Sequence, residues 1–164
     1  MGASQKLKFC ANLSMMYAKE AASLLDRYTC ARSYGFKGVE CAFPYDFSKE
    51  DLIKAKTDDL EQVLINADPG SSLGYAALVG QEDNFMKSLE KSLDYCVALK
   101  CKRLHIMSGR IGADSKGTEN KHKNFHLNTQ LARGVMFYLY NFQLGNTVYF
   151  LQPCFWFPEL YKFD

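Results

Sequence analysis

The chain has 164 residues, long enough for one domain with its own hydrophobic core and too short for two. Its formal net charge is +2 with the two signs interspersed, which excludes the strong one-signed field of a nucleic-acid or acidic-membrane binder. Apolar and charged fractions are ordinary for a soluble globular protein.

In chain order, the opening "MGASQKLKFCANLS" has no continuous apolar stretch after its basic residues, so no secretory signal is expected. Lys6 stands where a myristoylation start wants Ser or Thr. "LKFCANLS" (7–14) is short, apolar and β-prone, a first strand. Over 18–35, Ala21, Leu24, Leu25, Tyr28 and Ala31 fall at helical spacing, and Gly35 is a natural stop. "GVECAF" (38–43) predicts a second strand. Ser48 with Asp51 three residues on resembles a capping box opening a helix over about 49–58. "EQVLIN" (61–66) predicts a third strand, followed by the loop "ADPGSSLGYAALVG". Residues 82–100 place Phe85, Leu89, Leu93, Cys96 and Val97 on one helical stripe, and "RLHIMSG" (103–109) predicts a fourth strand.

Strand and helix alternating in this way imply parallel strands joined by right-handed crossovers, with ligand sites beyond the strands' carboxyl ends. Side-chain alternation then sorts each strand. Val39, Cys41 and Phe43 suit a helix-covered face, whereas Gly38, Glu40 and Ala42 leave a single acid among small residues. Cys10, Asn12 and Ser14 oppose Phe9, Ala11 and Leu13; Asn66 opposes Val63 and Ile65; His105 opposes Leu104 and Ile106. The expectation is that Glu40 faces a barrel axis among Asn12, Asn66 and His105. Plainer readings compete. Glu40 could be salt-bridged to a neighbouring Lys or Arg, His105 could hold a loop carbonyl in the core, and the two asparagines could cap turns.

Six cysteines occur, none in CxxC spacing. Buried, reduced thiols acting as small hydrophobes are expected, in a cytoplasmic protein, rather than a zinc site or a disulfide framework.

"FCANLS", "GFKGVECAFPYDFSKEDLIKAKT", "LEQVLIN", "LGYAAL" and "KSLEKSLDYCVALKCKRLHIMSGR" together resemble the N-terminal half of hydroxypyruvate isomerase, over about residues 7–111. That family belongs to the xylose-isomerase-like (β/α)8 barrels. The loop "ADPGSSLG" (67–74) is several residues shorter than the family's pattern. The resemblance implies α/β architecture as a partial TIM barrel of about four βα units. It also implies an aldose–ketose-type isomerisation of a small hydroxy-keto acid, hydroxypyruvate to and from 2-hydroxy-3-oxopropanoate, through an enediol-like intermediate. Two catalytic glutamates are implied in the family's second half, the first in a Glu-Pro-Ile-Asn block, and divalent-metal ligands of related barrels cluster there too. No Glu-Pro occurs in this sequence. No catalytic or metal-binding position is therefore carried over, and the cofactor stays open. Glu40, Asn66, His105 and Arg110 are the expected substrate-binding residues.

From Gly134 to Pro158 no residue is charged, and no sustained periodicity organises the many aromatics. The expected organisation is an isomerase-type half barrel over 1–133 and a divergent, irregular apolar tail over 134–164. The tail could be a membrane span, though Asn141, Gln143, Asn146 and Pro153 interrupt it; an apolar cap on an open barrel edge; or an out-of-family terminus. An open half barrel exposes two strand edges. Truncation with little or no activity is one expectation; a non-catalytic partner that self-associates through those edges, or pairs with a full-length isomerase subunit, is the other. A flavodoxin-like binding protein is disfavoured because no Gly-rich phosphate loop follows any strand.

Overall fold

Two of the described helices begin where a side-chain oxygen takes up an unpaired backbone N–H, and the longest begins without such a cap. Residues 8–110 are described by a computed structural model. In order they form β1 (Cys10–Asn12), α1 (Leu24–Ser33), β2 (Gly38–Cys41), α2 (Lys49–Lys56), β3 (Glu61–Asn66), α3 (Glu82–Leu99) and β4 (Leu104–His105). Ser23 caps α1 by accepting from the Leu25 amide, and Ser48 caps α2 by accepting from the Asp51 amide at 3.1 Å while donating to its carboxylate at 2.7 Å. The expected box is thus half formed: Ser48 caps the helix, but Asp51 meets the Ser48 hydroxyl rather than its backbone N–H. The alternation of strand and helix stands as predicted, and all four strands are parallel in the sheet order β1-β2-β3-β4.

Helix α1 starts six residues later than the expected 18, and the cause is Arg27. Its guanidinium donates to the carbonyls of Ala21 (2.9 Å), Leu13 (3.0 Å) and Ala22 (3.1 Å), which hold the segment ahead of the helix as a loop. On α3 the buried stripe is completed by Ser92 and Leu99, while Val97, expected within it, sits at its margin and is 36% exposed. Strand β4 is two residues long instead of seven, because the chain after it turns to pair with the loop following β3.

The core lies between the sheet and the helices. Ala11, Leu13, Val39, Cys41, Ile65 and Leu104 project from the sheet side onto Tyr28, Leu52, Leu89 and Leu93. Burying each large apolar side chain contributes roughly 1.5–3 kcal/mol. A polar side chain from β3 is sunk among them. Gln62, 1% exposed, accepts from the Tyr28 hydroxyl at 2.8 Å and donates to the Leu64 carbonyl at 3.0 Å. Simple alternation counted back from Asn66 places Val63 on this side. The structure reverses that expectation: Val39 pairs with Gln62 but Glu40 pairs with Leu64, so a β-bulge inserts Val63. Gln62 therefore faces the helices and Val63 the opposite face, where a Cβ built on Gly38 would stand 2.9 Å from Val63 Cγ2.

None of Cys10, Cys30, Cys41, Cys96 and Cys101 is joined in a disulfide, the last three are buried, and burial pushes the Cys41 thiol up to about 12. Among the described residues no helix is long and apolar enough to cross a membrane. Cys154, the boundary at 133 and the expected tail lie outside the described residues.

Replacing Gln62 by Leu strands the buried Tyr28 hydroxyl, and urea denaturation should register a loss of about 1–3 kcal/mol. Adding Tyr28→Phe should recover most of that loss; a double variant as unstable as the single one would contradict the pairing.

Candidate active site

Four parallel strands present two faces, and the one turned away from the helices carries the polar residues. Two registered neighbour pairs organise it. Asn12 on β1 stands opposite Glu40 on β2, and Asn66 on β3 opposite His105 on β4. Glu40 pairs with Leu64, two residues before Asn66, so the two pairs occupy successive tiers along the strands, Asn66 and His105 lying nearer the carboxyl ends.

In the lower tier Asn12 Nδ2 donates to Glu40 Oε1 at 2.9 Å. The same asparagine's Oδ1 accepts from the Ser14 amide at 3.0 Å, so its expected turn-capping role and its contact with the acid coexist. Ser14 Oγ in turn accepts from the Ala42 amide at 2.7 Å, and the Leu13 amide donates to the Glu40 carbonyl, also at 2.7 Å. Cys10 lies on the same face with Sγ 3.9 Å from Glu40 Oε2; burial first, then the carboxylate's charge, raises its thiol. No salt bridge joins Glu40 to another described residue, so the reading as a salt-bridged structural acid finds no partner there.

In the upper tier His105 Nδ1 is 3.2 Å from Asn66 Oδ1. Burial holds the imidazole below its ordinary range, favouring the neutral ring. The Asn66 backbone is fixed from two sides: its amide donates to the Ala42 carbonyl at 3.0 Å and its carbonyl accepts from the Tyr45 hydroxyl at 2.5 Å. Tyr45 is itself pinned, edge-on to Tyr95 at 5.0 Å between centroids, with Lys91 Nζ 5.1 Å above its ring. Burial pushes its phenol far up, which keeps it a donor.

Arg110 is not brought to these residues. Its side chain is exposed, and its backbone amide donates to the Ser72 carbonyl at 2.7 Å. The short loop after β3 zips onto 107–110 through a Gly74–Ser108 bridge, with Ala77 donating to the Ser108 carbonyl at 2.8 Å. Gly74 is required here: its φ is +103°, and a Cβ would lie 2.3 Å from the Met107 carbonyl oxygen.

Two residues escaped the sequence reading. Alternation from His105 places Arg103 on the same face, where its guanidinium reaches the Val63 carbonyl at 3.5 Å and its charge lowers the Cys10 thiol. Tyr45 follows β2 at its carboxyl end, the position where site residues gather in such sheets. Among the described residues no three His, Cys, Asp or Glu side chains converge. What it offers is a carboxylate and an imidazole as acceptors, each oriented by an asparagine: a surface suited to hydroxyl-bearing ligands.

Because the folded imidazole of His105 protonates below an unfolded value near 6.5, the unfolded chain takes up the proton first. This contribution is present above about pH 6.5 and is lost as pH falls below it. Thermal melts at pH 7.5 and 5.5 should therefore show a smaller pH dependence for His105→Gln than for the unaltered chain. Gly74→Ala should cost roughly 1–3 kcal/mol and speed amide exchange at Ala76 and Ala77, whereas unchanged exchange would argue against the close approach.

No family model matches the chain. A protein of Danio rerio named as a candidate hydroxypyruvate isomerase is 41% identical over 115 residues, 67% of this chain and 41% of that protein. The 2-oxo-tetronate isomerase of Cupriavidus necator is 37% identical over 139 residues, 78% of this chain and 52% of that enzyme. A solved AP endonuclease family 2 protein of Brucella melitensis superposes with TM-score 0.76 at 34% identity, covering 87% of this chain and 54% of that one. At 16% identity, the 3-keto-D-glucoside 4-epimerase of E. coli shares the fold with TM-score 0.64. The chain thus spans about half the length of the proteins it matches. Sequence and fold together make the chain similar to the hydroxypyruvate and 2-oxo-tetronate isomerases over about half of their length.

Proposed function

We propose that this chain serves the isomerisation of a small hydroxy-keto acid such as hydroxypyruvate, and that its part is to bind and orient the substrate. The observation that carries the reading is the pair of asparagine-oriented acceptors, Glu40 and His105, on one sheet face near the strands' carboxyl ends. In the reaction a proton leaves C3 of hydroxypyruvate, the C2 carbonyl becomes the enediol hydroxyl, and a proton returns to C2 as the C3 hydroxyl becomes the aldehyde. Acceptors that hold hydroxyl protons keep the ligand in the plane that this transfer needs. Asn66 supports the ring of His105; Arg110, at the rim, is placed to meet an anionic group only if its side chain swings inward. Five described cysteines, none of them in a disulfide, support a reducing, cytoplasmic setting.

The acids that move the proton are not among the matched residues, and each missing acid–base group forfeits about 10²–10⁴-fold in rate. Proton NMR of hydroxypyruvate incubated with the 164-residue chain should accordingly show binding with little or no turnover. His105→Ala should weaken that binding about tenfold, the worth of one good hydrogen bond. Turnover at the rate of a full-length relative would overturn the division of labour, and unchanged binding in the variant would overturn the site.

A second reading, a non-catalytic partner that pairs with another copy or with a full-length subunit, draws on the sheet order. Among the described residues β1 and β4 are both edges, and Phe9 beside β1 is 75% exposed. Sedimentation would separate the two, since the pairing reading requires a defined dimer.

A further inference from the structure

We propose that Asn66 is a positioning residue that fixes His105 as its Nδ1–H tautomer, so that Nε2 turns a lone pair outward and takes a ligand hydroxyl. This deepens, and rests on, the binding role proposed above. Asn66 Oδ1 is an acceptor only, so the nitrogen 3.2 Å away from it must carry the proton. A neutral imidazole has one N–H, and with Nδ1 engaged, Nε2 is left bare. No other described side chain bonds Nε2, and the ring is half-buried on the polar face of the sheet. The bonded pair is also a registered pair, held by the backbone on both sides. Asn66 and His105 are Cα partners in the ladder, and the Ala67 amide donates to the His105 carbonyl at 2.8 Å.

The orientation of Asn66 is itself enforced. Tyr45 binds its carbonyl and Ala42 receives its amide, so the side chain leaves the strand in one direction, towards β4. A bare Nε2 discriminates chemically. It accepts from a hydroxyl and repels the lone pairs of a carboxylate or carbonyl oxygen; an Nε2–H would do the reverse. The structure therefore assigns to this corner the hydroxyl-bearing end of the substrate, leaving the carboxylate to be held elsewhere.

The test is long-range proton–nitrogen correlation spectroscopy on the full chain labelled with 15N, near neutral pH, with His105 assigned by the signal missing from His105→Gln. A protonated Nδ1 and bare Nε2 are expected. Asn66→Ala should return the ring towards the Nε2–H tautomer, and Asn66→Asp, which keeps an acceptor, should preserve Nδ1–H. An Nε2–H ring in the unaltered chain overturns the inference without any variant having to fold, as does a tautomer that Asn66→Ala leaves unchanged. Hydroxypyruvate should shift the Nε2 resonance at about tenfold lower concentration than pyruvate, which lacks the hydroxyl. If the tautomer is as stated but neither keto acid moves the signal, the binding role fails and the tautomer assignment survives.

Discussion

The polar face of the sheet depends on one inserted residue. With Val63 bulged out of the ladder between β2 and β3, Gln62 goes to the helices and Leu64 comes opposite Glu40. Asn66 then arrives on the inner face, level with Ala42 and next to His105. An unbulged strand would keep the upper half of this arrangement or the lower half, not both, because a single-residue slip exchanges the faces of everything beyond it. The buried Tyr28–Gln62 hydrogen bond stabilises the bulged register from the helix side, since only that register offers the phenol its acceptor.

Around the bulge, loops are held by side chains that take up backbone carbonyls. Arg27 gathers three of them ahead of α1, Tyr45 takes that of Asn66, and Tyr95 donates to the carbonyl of Phe47 at 2.9 Å. Each is a long, rigid or forked donor reaching from a helix or a strand end into irregular chain. This arrangement suits a βα fold, where the loops at the carboxyl ends must be both free of regular structure and fixed in place. From α3, Ser88 donates to the Asp68 carbonyl at 2.7 Å and Ser92 accepts from the Asp68 amide at 2.8 Å.

Much of this was legible in the residues. The four strands and three helices follow from the apolar periodicities, and β3 occupies the same six residues as its sequence segment, because the Asp58–Asp59 turn before it and the loop from Ala67 after it bound it on both sides. Alternation was enough to place Asn12, Glu40, Asn66 and His105 on one face. It could not show that they form two pairs in two tiers, since that is a property of register between strands, and register is set by contacts distant in sequence. The late start of α1 was hidden for the same reason: the Arg27 side chain acts on carbonyls up to fourteen residues back. The short β4 ends at His105, which takes Arg110 out of the alternation that still governs Arg103.

The zip between the β3 loop and residues 107–110 makes loop length a ruler. The Ser72 carbonyl sets where Arg110 begins, and Gly74 sets the spacing to Met107. Removing or adding one residue between Asp68 and Ser72 would carry the arginine along the rim by about 3.3 Å, the span of one extended residue. A relative with a longer segment here would present the residue at this place from a different height.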